Sequence, residues 1–174
     1  ATLDSYPLFY AATQKNLGEA YAIWAKLEEP LWNWQKSLCA YNEALKVYSN
    51  GHPVQHCAIQ QQLGAVYCAL AELEEPLENY QMAVKCYQTA LKIQTPDASP
   101  LQAASIQVLL GNCYLELARR EPTATALYYE KTIITYQEAL QFYSLESNPK
   151  DYAAIQINLG RAYTGLARLE ARTY

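Results

Sequence analysis

One five-residue pattern, Leu-Gly-x-x-Tyr, recurs four times in this 174-residue chain at nearly constant spacing. It stands at Leu17 to Tyr21, Leu63 to Tyr67, Leu110 to Tyr114 and Leu159 to Tyr163, with the glycines 46, 47 and 49 residues apart. A period of about 20–50 residues restricts a chain to supersecondary units that bury their apolar faces against one another. The shared positions extend well beyond the core pattern. A glutamine lies four residues before each glycine (Gln14, Gln60, Gln107, Gln156) and a proline eleven before (Pro7, Pro53, Pro100, Pro149). A large apolar residue and an alanine follow the tyrosine: Trp24-Ala25, Leu70-Ala71, Leu117-Ala118 and Leu166-Ala167. In three repeats a second proline (Pro30, Pro76, Pro122) leads to Tyr-x-x-Ala-Leu, starting at Tyr41, Tyr87 and Tyr136.

This punctuation reads as pairs of helices. In the second repeat Cys57, Leu63, Gly64, Tyr67, Leu70 and Ala71 recur at steps of three and four, which traces one face of a helix. The second helix of a pair has its own stripe, such as Val84, Tyr87, Ala90 and Leu91. Ser99-Pro100 and Asn148-Pro149 pair an N-cap residue with proline at the first helical position, where its missing N–H costs nothing. Polar stretches such as Ser49-Asn50-Gly51-His52 separate one pair from the next. The expected fold is all-α with seven helices: three antiparallel pairs and a lone helix from about Pro149. A mid-helix glycine costs about 1 kcal/mol relative to alanine. Its recurrence implies a packing role, with the missing side chain admitting the partner helix and the tyrosine three residues on filling the next turn.

Composition narrows the function. A net charge of −4 does not suggest a broad nucleic-acid footprint. No apolar run approaches the roughly 18 residues of a membrane span, and the chain opens without a signal-peptide pattern. Because it starts at Ala1, it is expected to be a piece of something larger. The five cysteines include no C-x-x-C pair. Cys57 matches Ala11, Ala104 and Ala153 in the other repeats, so reduced thiols acting as small apolar residues in a cytoplasmic protein are expected. His52 and His56 are spaced to share a metal but lack the intervening glutamate of H-E-x-x-H, and a solvated helix entrance is the preferred reading. Glu28-Glu29 and Glu74-Glu75 precede helix-starting prolines and would favour the positive end of the next helix. No nucleophile elbow, assignable catalytic base or phosphate loop is present, so neither an enzyme nor a metal or other cofactor is expected.

Leu-Gly-x-x-Tyr in a first helix and aromatic-x-x-Ala in a second resemble tetratricopeptide repeats over essentially the whole chain. The family's early aromatic is replaced here by glutamine, and its unit of about 34 residues is exceeded. The spacings Tyr21 to Tyr41 and Tyr67 to Tyr87 are both 20, and much of the excess fits about one further turn on each helix. The third repeat has 22, with the extra two expected within Pro122 to Thr125. The long repeats are similar to those of bacterial signalling proteins that carry a protease or NTPase module. The resemblance implies a single α-solenoid domain with repeats at about 5–50, 51–97, 98–146 and 147–174. It further implies that the first helices line a concave groove for a peptide or protein segment. Carried over by position, the groove residues are Lys15 and Glu19, Gln61 and Cys68, Val108, Asn112 and Leu115, and Ile157 and Arg161, accompanied by Ala22, Ile23, Ala65, Ala69, Glu116, Thr164 and Gly165. The apolar centre at Val108, Leu115 and Ile157 suits an amphipathic segment, and the set is not a carboxylate clamp.

Two further surfaces stand out. Trp24 and Trp34 match Leu70 and Tyr80 and are expected to be packed, whereas Trp32 matches Glu78 and is a candidate secondary contact. The last helix carries Ile155, Leu159, Ala162, Tyr163, Leu166 and Leu169 without a second helix to cover them. Either the chain continues past it or the stripe docks on a neighbour, so self-association through this end is an expectation. The leading function is a non-catalytic protein-interaction scaffold. The alternative is a regulatory or sensing segment of a larger signalling enzyme, and an RNA-reading repeat is disfavoured by the acidic balance.

Overall fold

The computed structural model describes residues 2–3, 5–97 and 99–171. Seven helices and no strands occur among them: α1 (Pro7–Trp24), α2 (Pro30–Tyr48), α3 (Pro53–Ala71), α4 (Pro76–Ile93), α5 (Pro100–Arg120), α6 (Thr125–Ala139) and α7 (Pro149–Glu170). Six of the seven begin on a proline, whose fixed φ suits the first helical position. Ser99 and Asn148 stand at the N-cap positions expected of them, but neither side chain makes the cap hydrogen bond. Their carbonyls instead accept from Ala103 and Tyr152 at 3.0 and 2.9 Å.

The chain divides into two compact units, Ala1–Ile93 and Gln94–Tyr174. In the first, α1 packs on α2, α2 on α3 and α3 on α4. The α1–α2 pair is antiparallel: the Tyr10 hydroxyl donates to Glu43 at 2.9 Å, and the Ser37 hydroxyl to the Gly18 carbonyl at 2.8 Å. Ala11, Tyr41, Ala44 and Tyr48 from this pair meet Ile59, Leu63, Val66 and Leu70 of α3 in one core. In the second unit α5 packs on α6, and α7 on both. Ile133, Tyr136 and Ala139 of α6 lie between Ala104 and Leu115 of α5 and Ile155, Leu159 and Ala162 of α7.

The repeated glycine has a single explanation across the three pairs. A Cβ on Gly18 would stand 2.7 Å from the ring of Tyr41, one on Gly64 2.6 Å from Tyr87, and one on Gly111 2.7 Å from Tyr136. The tyrosine of the second helix therefore lies flat against its partner's backbone, and any side chain there would collide with it. The ring comes from across the hairpin. The glycine's own-helix tyrosine turns elsewhere: Tyr21 meets Trp32 edge-on at 6.0 Å and Tyr114 stacks on Tyr128 at 6.1 Å. Gly160 on α7 has no such ring, and nothing lies within 4 Å of its Cβ position.

The first two hairpin turns share a further device. Glu29 and Glu75 both adopt φ of 44°, a left-handed conformation costing a non-glycine residue about 1–2 kcal/mol. Asn33 and Asn79 each donate from Nδ2 to the carbonyl two residues before the following proline, at Glu28 (2.9 Å) and Glu74 (2.8 Å). These glutamate pairs therefore shape a turn locked by asparagine. The third pair turns differently. Its two extra residues do not enlarge the loop as expected but lengthen α5, which runs to Arg120 and keeps the Gly+8 residue Arg119 helical. The equivalent Lys26 and Glu72 lie past the ends of α1 and α3.

Candidate functional site

The groove positions behave differently in the two units. On α1, Lys15 Nζ and Glu19 Oε1 pair at 2.5 Å, a half-buried i,i+4 ion pair that cancels its own charge. On α3, Gln61 Nε2 donates to the Cys57 sulfur at 3.4 Å, and Cys68 is partly buried. The first unit thus presents these four candidates as locally satisfied side chains.

In the second unit two of them, Asn112 and Arg161, are joined into a network. Asn112 Oδ1 accepts from the Tyr136 hydroxyl at 2.5 Å and from Asn158 Nδ2 at 3.1 Å, and Asn158 Oδ1 accepts from Arg161 Nη1 at 2.9 Å. Tyr136 is fully buried, and burial pushes its phenol well above its ordinary range. Arg161 is thereby tethered to the core through two asparagines, of which Asn158 escaped the sequence reading.

Beside this network opens a cleft of about 550 Å³. Ile157, Gly160, Arg161, Thr164 and Arg168 of α7 form one wall, Arg119 of α5 the other, Leu115 of α5 lies at the base, and Tyr129 of α6 rises between the walls. Tyr129 reaches this place because Gly165 has no side chain: a Cβ there would stand 2.6 Å from ring Cε2. Leu115, Ile157, Arg161, Thr164 and Gly165, all carried over from the repeat pattern, therefore line one cleft. The apolar centre needs correction. Leu115 is only 4% exposed and forms the floor, because α7 covers that side of α5. Val108 packs against the core and opens instead on a separate recess of about 220 Å³ beside Tyr143 and Asp151. Only Ile157, 58% exposed, is a free apolar contact. Arg119, Arg168 and Tyr129 were not anticipated.

Known proteins offer no guide. The chain matches no family model, no curated protein and no solved structure.

Trp32 is 49% exposed and borders a recess of about 460 Å³ with Glu29, Pro30, Leu31 and Gln35. Its ring is held edge-on by Tyr21 and faced by Lys36 Nζ at 5.0 Å, a cation–π contact. Trp34 packs against the core as expected. Trp24 does not: it is about half exposed, with its indole N–H donating to the Glu28 carboxylate. His52 packs edge-on to Tyr48 and His56 pairs with Gln60 at 3.2 Å. Among the described residues no cluster of three or more His, Cys, Asp or Glu side chains is suited to a metal, and no helix is long and apolar enough to cross a membrane.

Proposed function

We propose that this chain is a protein-interaction scaffold of tetratricopeptide-like helix pairs, and that it grips a segment of another protein in the cleft between α5 and α7. One observation carries this reading. Asn112, Asn158 and Arg161 form a polar chain anchored on buried Tyr136 and ending at the cleft wall, beside exposed Ile157. A guanidinium oriented in advance loses less freedom on binding, which is what a recognition surface requires and a merely solvated helix face does not. The helix pairs supply rigidity, and the residues that vary between repeats supply selectivity.

The test is capture from a cell lysate by the wild type and by Ile157→Glu/Arg161→Glu, two exposed changes that leave the core intact. Proteins retained by the wild type and lost by the variant, with equal helicity by circular dichroism, support the reading. Identical capture by both moves the working surface away from this cleft.

A further inference from the structure

All five arginines of the chain lie in the second unit, at positions 119, 120, 161, 168 and 172, whereas the basic residues of the first unit are lysines. Arg119, Arg161 and Arg168 line the α5–α7 cleft, and no carboxylate lines it with them. The repeat does not dictate Arg161, and at the position of Arg119 and Arg168 it shows only a preference for a basic residue. The residues equivalent to Arg161 are Glu19, Ala65 and Asn112, and those equivalent to Arg168 are Lys26, Glu72 and Arg119. The position of Arg161 varies between repeats, whereas the position shared by Arg119 and Arg168 is basic in three of the four, and the three arginines converge on one concavity.

We infer that the cleft takes a short acidic peptide segment, with two carboxylates two to four residues apart and an apolar side chain beside them. This rests on the cleft being a protein-binding surface. Arginine presents a planar fork that pairs bidentately with carboxylates, and lysine offers only a point charge. Arg161 spends Nη1 on Asn158, leaving its other donors open. Arg168 has no hydrogen-bond or ion-pair partner among the described residues. Arg119 shares Glu116 with Arg120, so that carboxylate neutralises the pair only in part. Arg161 and Arg168 are separated by about 10 Å along α7 at 1.5 Å per residue. An extended peptide advances about 3.3 Å per residue, which sets the spacing of the two acids at about three. Ile157 and the Leu115 floor then meet the apolar side chain.

Charge favours a short acidic stretch over a long polyanion. The second unit carries seven basic and eight acidic side chains, so a nucleic acid extending past the cleft would meet net repulsion.

Panning a random peptide library displayed on phage against the full chain tests the inference. The expected winners carry at least two Asp or Glu residues two to four apart. They should bind Arg161→Gln/Arg168→Gln at least about tenfold more weakly, with the lysine double variant intermediate, and should weaken as salt rises. Circular dichroism confirms that each variant is folded. Neutral or basic winners lost in Ile157→Glu but retained in the arginine variant would overturn the acidic ligand and keep the cleft. Winners indifferent to both variants, or no winners, would overturn the cleft as well. Oligouridylate bound as tightly as the peptides, and sensitive to the same arginines, would overturn the choice of a peptide.

Discussion

The glycine that recurs in each repeat can be weighed against itself, because the second unit holds it in two settings. At Gly160 an added Cβ meets nothing within 4 Å, so Gly160→Ala should gain the helix-propensity difference of up to about 1 kcal/mol. At Gly111 the same gain is opposed, since the Cβ would stand 2.7 Å from Cε1 and 2.9 Å from Cδ1 of Tyr136. Carbon–carbon contact is optimal near 3.5–4.0 Å. The ring cannot swing aside easily, because it is fully buried and its hydroxyl is held by Asn112. Overpacking of this kind costs about 1–3 kcal/mol. The propensity term is common to both variants, so Gly111→Ala should be less stable than Gly160→Ala by about 1–3 kcal/mol. Amide hydrogen exchange in α5 and α6 along a urea series reads this directly, since both changes lie in the same unit. In a Tyr136→Leu background the cost of Gly111→Ala should shrink, a coupling visible in the double-mutant cycle. Equal shifts for both variants would refute the clamp and leave the repeated glycine without a packing cause.

Two more outcomes follow from buried polar groups. Burial raises the Tyr41 phenol to about 12 and pushes Tyr136 up as well, so the unfolded chain loses these protons first. Their contribution to stability should be intact below about pH 10 and fade as pH rises from there toward about 12. Urea midpoints that stay flat through this window, or tyrosinate absorbance showing no late-titrating phenols, would contradict it. Asn33→Ala should cost about 1 kcal/mol through loss of its bond to the Glu28 carbonyl. Asn33→Asp should cost more at neutral pH and recover on acidification, because an ionised acceptor would then face that carbonyl; a pH-independent deficit would count against it.

The helices were legible because prolines mark their starts and the apolar stripes have helical spacing. What lay across a hairpin was not. The pattern places Tyr21 one turn from Gly18, yet the ring that needs the glycine is Tyr41, and nothing in linear spacing chooses between them without the register of the pair. The carried-over positions reached Arg161 and Ile157 but overstated Leu115, because its exposure depends on α7 lying over α5. Arg119 and Arg168 were missed because their equivalents lie past the ends of α1 and α3. Tyr129 left one faint trace, the second glycine of the last repeat, Gly165.

The clamp of glycine and tyrosine is complete inside each helix pair, since both halves are carried on one hairpin. A pair could be duplicated, deleted or moved as a cassette without orphaning a ring or crowding a backbone elsewhere. The polar chain from Tyr136 to Arg161 has the opposite character, for it joins residues of two successive repeats. Copying number is therefore cheap in this architecture, while the polar chain belongs to one junction and would be lost by shuffling the very parts that packing leaves free to shuffle.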